Sequence, residues 1–377
     1  MPISYGFLST YPPTQCGLAT FTSALLRGLT RAGSGVSAGV VRVVDSPVMS
    51  SSPEVVAQLR TRSTRGHGVA AEALNTFDVA VVQHEYGIYG GQDGDQVLSV
   101  LDEVRVPVVV VAHTVLARPT SHQRQVLEQV TRAAAAVVTM THAARDRLVN
   151  GYTVNADKVV VIPHGAPVRS GPYLRLPGQR PLILTWGLLG PGKGIEWAID
   201  AMHHVRRVTP SPAYIVAGQT HPRVRQLHGE TYRLHLAERA RIVGVTNNVR
   251  FEGAYMDEPS LTRLIRRADV VLLPYDSREQ VTSGVLVEAV AAGIPVVATA
   301  FPHATELLSG GAGLVVPHGD SAAIGAALLR VLTEPGLAQQ MSTEASRLSP
   351  TLLWPAVAAR YQSLAAELLA NRTVALG

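Results

Sequence analysis

Cysteine is nearly absent: Cys16 stands alone in 377 residues. That excludes an internal disulfide and a cysteine-built metal site, and a cytosolic setting follows as the default. Long apolar runs are missing too. VPVVVVA and AAAAVVTM end in polar residues well before they could span a bilayer. They predict strands buried on both faces. The opening MPISYGFLS has neither a basic start nor an apolar signal core, so no export signal is expected from it. Aromatics make up only 5% and are not interleaved with a basic run, which argues against nucleic acid as a partner. Neither GxxxxGK[ST] nor GxGxxG occurs, so a P-loop or dinucleotide fingerprint is not expected. No acid pair suited to a hydrolase stands out.

What is present is ample apolar material. The hydrophobic share is 46%, enough for two buried cores, and the length suits two domains better than one. The formal charge is +5, carried mostly by scattered arginines. A solvated basic surface is the plain reading. Attraction of an anionic ligand or an acidic membrane face is the functional one. No feature of the sequence fixes an oligomeric state.

Short Val/Ile/Leu-rich runs alternate with longer helical stretches. The first half offers ISYGFLS, AGVVRVV, VAVVQHE, PVVVVAH, AVVTMT and KVVVIPHG as strands. The second half offers PLILTWG, AYIVAGQ, VRFEGAY, VVLLPYD, IPVVATA and AGLVVPH. Such alternation demands parallel pairing with crossover helices, so both halves are predicted to be doubly wound α/β sheets. The stretch 166–181, APVRSGPYLRLPGQRP, is rich in proline and glycine and lacks periodicity, so it reads as a linker. The expected domains are 1–168 and 169–349. A final helix within 350–377 is expected to cross back onto the first domain. Ligand crevices lie at the carboxyl ends of such strands, so the two sheets are expected to share one cleft.

Four segments carry candidate chemistry. In STYPPTQCGLATFT a strand runs into a loop from Tyr11 to Gly17 and then into a helix. The loop and helix start would aim N–H groups and partial positive charge at a ligand, and Gly17 permits close approach. An ordinary strand–helix turn is the alternative. In TWGLLGPGKGIEWAIDAM, residues 185–202, a glycine-rich turn places Lys193 where its ammonium can reach a phosphate. In 276–299, Thr282, Ser283 and Gly284 precede a helix whose free N–H groups can bind an anion. Glu288 follows one turn later and could take two ribose hydroxyls; a satisfied helix carboxylate is the competing reading. Finally His84 and Glu85, His113 and Thr114, and His164 end separate strands. Substrate contact is the functional expectation for them and structural hydrogen bonding the alternative. Separate strand ends argue against a metal site.

Taken in order, these segments resemble glycosyltransferase family 4, the retaining GT-B enzymes. STYPPTQCGLATFT is similar to the family's first glycine loop and VIPHGAP to its interdomain segment. FEGAYMDEPSLTRLIRRADVVLLPY is similar to its nucleotide-side strand and helix. VLVEAVAAGIPVVAT is the most specific match, and GAGLVVPHGDSAAIGAALLRVL resembles the closing strand and helix. The resemblance implies a GT-B architecture and a metal-independent transferase without a cofactor. It implies a nucleotide-diphosphate sugar as donor, GDP-mannose first, and a saccharide, glycolipid or lipid-linked acceptor. Peripheral contact at the inner membrane face is compatible with it.

The resemblance also assigns roles. Gly17 would approach the donor diphosphate from the first domain, and Gly187 and Lys193 from the second. Ser283, Gly284 and Val285 would offer backbone N–H groups, with Thr282 beside them. Glu288 would hold the ribose and His113 would lie beside the transferred sugar. Tyr11, Gln15, His84, Glu85 and His164 fall on the acceptor side, lined further by 66–77 and 86–95. Two departures stand out. Leu188 replaces the family's arginine after the glycine of the second loop, and Gln280 replaces the first glutamate of its pair. Arg278 is the candidate to restore the positive charge. The departures keep two alternatives open: another activated sugar as donor, or a non-catalytic relative.

Overall fold

The structure, a computed structural model, describes residues 2–31, 34–47, 52–61, 66–169 and 178–376. The chain divides into two compact units. Met1–Gly165 with Trp354–Gly377 forms the first, and Ala166–Leu353 the second. The first boundary thus falls three residues before the expected 168/169. The second falls at 353/354 because a helix runs unbroken over Leu337–Leu352. Pro350 lies in that helix's last turn instead of ending it.

In the first unit the strands are β1 (Ser4–Ser9), β2 (Ser37–Val44), β3 (Val55–Arg60), β4 (Val79–His84), β5 (Val108–Ala112), β6 (Ala136–Thr139) and β7 (Val159–Val161). They pair in parallel in the order β3-β2-β1-β4-β5-β6-β7. The order reverses between β1 and β4, the switch point where such sheets bind ligands. β3 pairs only with β2, at the edge, and had no counterpart among the expected strands.

Phe7 of β1 and Val81 of β4 pack on Phe21 and Leu25 of helix Gly17–Leu29. Val357 and Tyr361 of helix Trp354–Leu376 complete this core, so the last helix belongs to the first unit. Gly28 permits the approach: a Cβ there would stand 3.1 Å from Ala358 Cβ.

In the second unit the strands are β8 (Leu182–Trp186), β9 (Ala213–Ala217), β10 (Val249–Glu252), β11 (Val270–Leu273), β12 (Val296–Thr299) and β13 (Gly313–Val316). They pair in parallel as β10-β9-β8-β11-β12-β13, with the switch point between β8 and β11. Successive residues of β11 point to opposite faces. Val271 and Leu273 enter one core cluster, Val270 and Leu272 the other. Helices cover both faces, which is why the strands read as continuous apolar runs. Each such buried side chain contributes about 1.5–3 kcal/mol relative to exposure. Ala166 and Leu353, where the chain enters and leaves this unit, form a parallel bridge. Of the expected linker, residues 170–177 lie outside the described residues.

Candidate nucleotide-sugar site

In the second unit the loops after β8 and β11 meet at the switch point. Gly187 ends β8 with φ +118, and Gly218 opposite it would drive a Cβ to 2.0 Å from the Gly187 carbonyl oxygen. Gly194, at φ +62, starts helix Ile195–Val205; its Cβ would stand 1.8 Å from the Pro274 oxygen. Only glycine fits such close backbone approach. The amide of Asp276 donates to the Gly192 carbonyl at 3.0 Å, tying the two loops together. Trp197 Nε1 adds a bond to Asp276 Oδ1 at 2.8 Å.

Lys193 projects from this turn with its ammonium 4.3 Å from the centroid of the Tyr275 ring. A cation over an aromatic face is held by about 1 kcal/mol while its N–H donors stay available. The buried Tyr275 also accepts, at its carbonyl, a bond from His318 Nδ1 at 2.8 Å. The Nε2 of His318 is buried without a partner among the described residues.

Helix Gly284–Ala291 begins at Ser283, whose hydroxyl caps the Leu286 amide at 3.3 Å. The Ser283 amide itself donates to His303 Nδ1 at 2.8 Å, so it is engaged inward. The amides open to an anion are therefore those of Gly284 and Val285, at the helix's positive end. Val285 Cγ2 would lie 3.6 Å from a Cβ on Gly187, so the helix start faces the glycine turn. Thr282 leaves its hydroxyl buried and unpartnered among the described residues. Gln280 turns inward, its Nε2 donating to the Thr282 carbonyl at 3.0 Å. Arg278 is exposed on the loop after β11.

Glu288 stands one turn beyond Gly284, on the same face. Its Oε2 accepts from Arg169 Nη2 at 2.8 Å, an ion pair with side chains 4% and 20% exposed for Arg169 and Glu288. Burial pushes the Glu288 carboxyl up, and the Arg169 charge and hydrogen bond pull it back down.

In the first unit, Tyr11 is buried in the loop after β1 and Gln15 is exposed there. Cys16 caps helix Gly17–Leu29, its Sγ accepting from the Ala19 amide at 3.4 Å and lying 3.2 Å from Thr10 Oγ1. Gly17 is exposed, and a Cβ there would meet nothing within 4 Å. Open space, not steric need, surrounds that backbone.

Two of the three histidines, His113 and His164, meet at Phe21. Its ring meets His113 edge-on at 4.9 Å and His164 at 5.0 Å, with Trp354 at 5.1 Å. His164 Nδ1 donates to the Gly165 carbonyl at 2.7 Å. His84 is fully buried with its ring 5.1 Å from Tyr86, and its Nδ1 has no partner among the described residues. Burial lowers His113 to about 3, helped by His164 and His84, and lowers His84 and His164 to about 4. All three are neutral at physiological pH. The Glu85 carboxyl is pushed up by burial, opposed by bonds from Thr114 Oγ1 and the Tyr86 amide. Among the described residues no three His, Cys, Asp or Glu side chains gather as a metal-binding group.

Four residues of these sites were not foreseen: Arg169, Tyr275, His303 and Gln83. Arg169 falls in the stretch 166–181 that reads as a linker. Tyr275, His303 and Gln83, whose Oε1 lies 2.6 Å from His113 Nε2, act through contacts between elements, which no local pattern records.

Two doubly wound sheets with these loops define the class: the fold is GT-B. HepE from Anabaena in complex with UDP and glucose superposes with TM-score 0.77 at 17% identity, covering 97% of this chain and all of that one. Sucrose-phosphate synthase from Thermosynechococcus elongatus gives 0.74 at 20%, covering 98% and 100%. The model for Glycosyltransferase Family 4 matches residues 17–169, and that for Glycosyl transferases group 1 matches 180–334. The chain belongs to this glycosyltransferase family.

Among its relatives, D-inositol 3-phosphate glycosyltransferase of Corynebacterium glutamicum is 28% identical over 72% of this chain and 69% of its own length. Phosphatidyl-myo-inositol mannosyltransferase of Mycobacterium leprae is 30% identical over 53% and 51%. The match thus spans only about half of the second relative's length. Among the described residues, no helix is long and apolar enough to cross a membrane.

Proposed function

We propose that the protein transfers a hexosyl group from a nucleotide-diphosphate sugar, GDP-mannose first, to an acceptor hydroxyl, with retention and without a metal. The observation that carries this reading is the second unit's switch point. There Lys193, the Gly187 turn and the free amides of Gly284 and Val285 converge, with Glu288 one turn away. Fixed donors of this kind stabilise charge developing on a departing diphosphate. The ribose falls to Glu288. The departing phosphate assists removal of the acceptor proton, consistent with the neutral His113 offering hydrogen bonding and not proton transfer.

The acceptor belongs to the first unit. The relatives' names point to a polyol phosphate or a lipid-linked inositol, which also supports contact at the inner membrane face. Arg278 supplies the charge that Leu188 lacks; undiminished transfer by Arg278→Ala would count against that. Leu188 and the inward-turned Gln280 favour a second reading, a differently activated sugar as donor. Calorimetric titration with GDP, UDP, ADP and TDP, with and without EDTA, separates the two. EDTA-insensitive binding of one diphosphate supports the proposal and names its base. A folded protein that binds none contradicts it.

A further inference from the structure

The Arg169–Glu288 pair raises a question that the ribose assignment alone leaves open. Arg169 lies in the segment that enters the second unit, far in sequence from helix Gly284–Ala291. Its guanidinium is anchored by two contacts. Nη2 donates to Glu288 Oε2 at 2.8 Å, and Nε donates to Thr262 Oγ1 at 3.4 Å, on helix Glu258–Ile265. Its third nitrogen, Nη1, is buried with no partner among the described residues. A buried cationic donor without an acceptor is costly.

Glu288 is less enclosed than Arg169, with 20% of its side chain exposed against 4%. The carboxylate is thus the open half of the pair and the guanidinium the closed half. Besides Arg169, the other charged group acting on Glu288 is Glu258, a like charge on the same packed helix as Thr262. Remove Arg169, and burial together with Glu258 would favour the protonated carboxyl. A protonated carboxyl loses acceptor capacity for two hydroxyls.

We propose that Arg169 is the positioning residue of the nucleoside site: it fixes the Glu288 carboxylate, in its ionised form, for the ribose. The inference rests on the reading that this helix takes a nucleotide. Its ligand class is a ribonucleoside diphosphate whose sugar hydroxyls meet Glu288.

Calorimetric titration with GDP and UDP from pH 6.5 to 8.5 tests it on the wild type, Arg169→Met, Arg169→Gln, Arg169→Lys and Glu288→Gln, each checked for folding by circular dichroism. Truncating one member of a buried charge pair predicts a loss of about ten-fold or more for Arg169→Met at pH 6.5, relative to wild type. The deficit should narrow as pH rises and Glu288 regains its charge. Arg169→Lys should recover part of the affinity at every pH. Glu288→Gln should be weak throughout, with no narrowing. If Met at 169 does not fold, Gln is read in its place, with the same expectation. Wild-type affinity in Arg169→Met or Arg169→Gln across the range overturns the inference and leaves the nucleotide reading standing. A folded wild type that binds neither GDP nor UDP overturns both.

Discussion

The Nε2 of His113 lies 2.6 Å from the Oε1 of Gln83, a side chain wholly buried at the end of β4. An amide oxygen only accepts, so Nε2 carries the proton and Nδ1 is bare. With its affinity for protons lowered to about 3 by burial, His113 cannot serve as a general acid at neutral pH. Nitrogen NMR should show the Nε2–H tautomer, unchanged from pH 8 to 5. Gln83→Leu should disturb that tautomer and lower kcat. A His113 resonance titrating near 6.5 would contradict this assignment.

The same burial makes the first unit acid-sensitive. His84, His113 and His164 are held neutral in the fold at pH values where an unfolded histidine charges. Their folded affinities are depressed, so stability is full above about pH 6.5 and is lost as pH falls toward 4. Each contributes a slope of at most about 1.4 kcal/mol per pH unit. Urea unfolding at pH 7, 6 and 5 should show a steady decline, and His84→Phe should flatten it. Equal stability at pH 7 and 5 would count against the shifts.

Lys193 and Glu288 sit on one half-site with distinct duties. Lys193→Ala should lower kcat/KM by about 100-fold or more, as removal of one fixed donor to a developing charge does. Glu288→Ala should act mainly through KM for the nucleotide donor. Lys193→Ala should unfold near the wild-type temperature, since its ammonium only lies over the Tyr275 ring, whereas Glu288→Ala should unfold lower because it leaves the buried Arg169 guanidinium without its carboxylate. Full activity in both would remove the site from consideration.

Gly194 has no tolerated replacement. Its φ of +62 and the Pro274 oxygen 1.8 Å from any Cβ require the loop to move. Gly194→Ala should cost roughly 2–4 kcal/mol and displace Lys193, lowering both Tm and activity.

Cys16 caps helix Gly17–Leu29 through its sulfur. Serine is the better cap for the Ala19 amide, so Cys16→Ser should keep or raise stability. Cys16→Ala should lose about 0.5–1 kcal/mol. Thermal denaturation of the two variants decides the point.

Most of the fold could be read from the chain because parallel strands covered on both faces appear as unbroken apolar runs. β8, β11 and β12 of the second sheet are of that kind, buried along their whole length, while its edge strands β10 and β13 are mostly half-buried or exposed. β3 escaped because it is an edge strand whose residues are mostly half-buried or exposed, so its apolar pattern is broken. The glycine turns were legible because Gly187 and Gly194 mark close backbone approach with residue type alone. Arg169 was not, since a proline-rich entry segment shows nothing of the helix it will face. The Ser283 amide was assigned to phosphate by resemblance, but its engagement by His303 depends on packing from 20 residues away.

The central claim is glycosyl transfer, and turnover tests it most directly. The protein would be incubated with GDP-mannose, UDP-glucose and UDP-N-acetylglucosamine, each with inositol phosphate or phosphatidylinositol, with and without EDTA. Products would be followed by mass spectrometry and proton NMR of the anomeric centre. The account predicts EDTA-insensitive release of one nucleoside diphosphate with a glycosylated acceptor of retained configuration, reduced about 100-fold or more in Lys193→Ala. Nucleotide binding without any transfer or donor hydrolysis across that panel, or a product of inverted configuration, would contradict it.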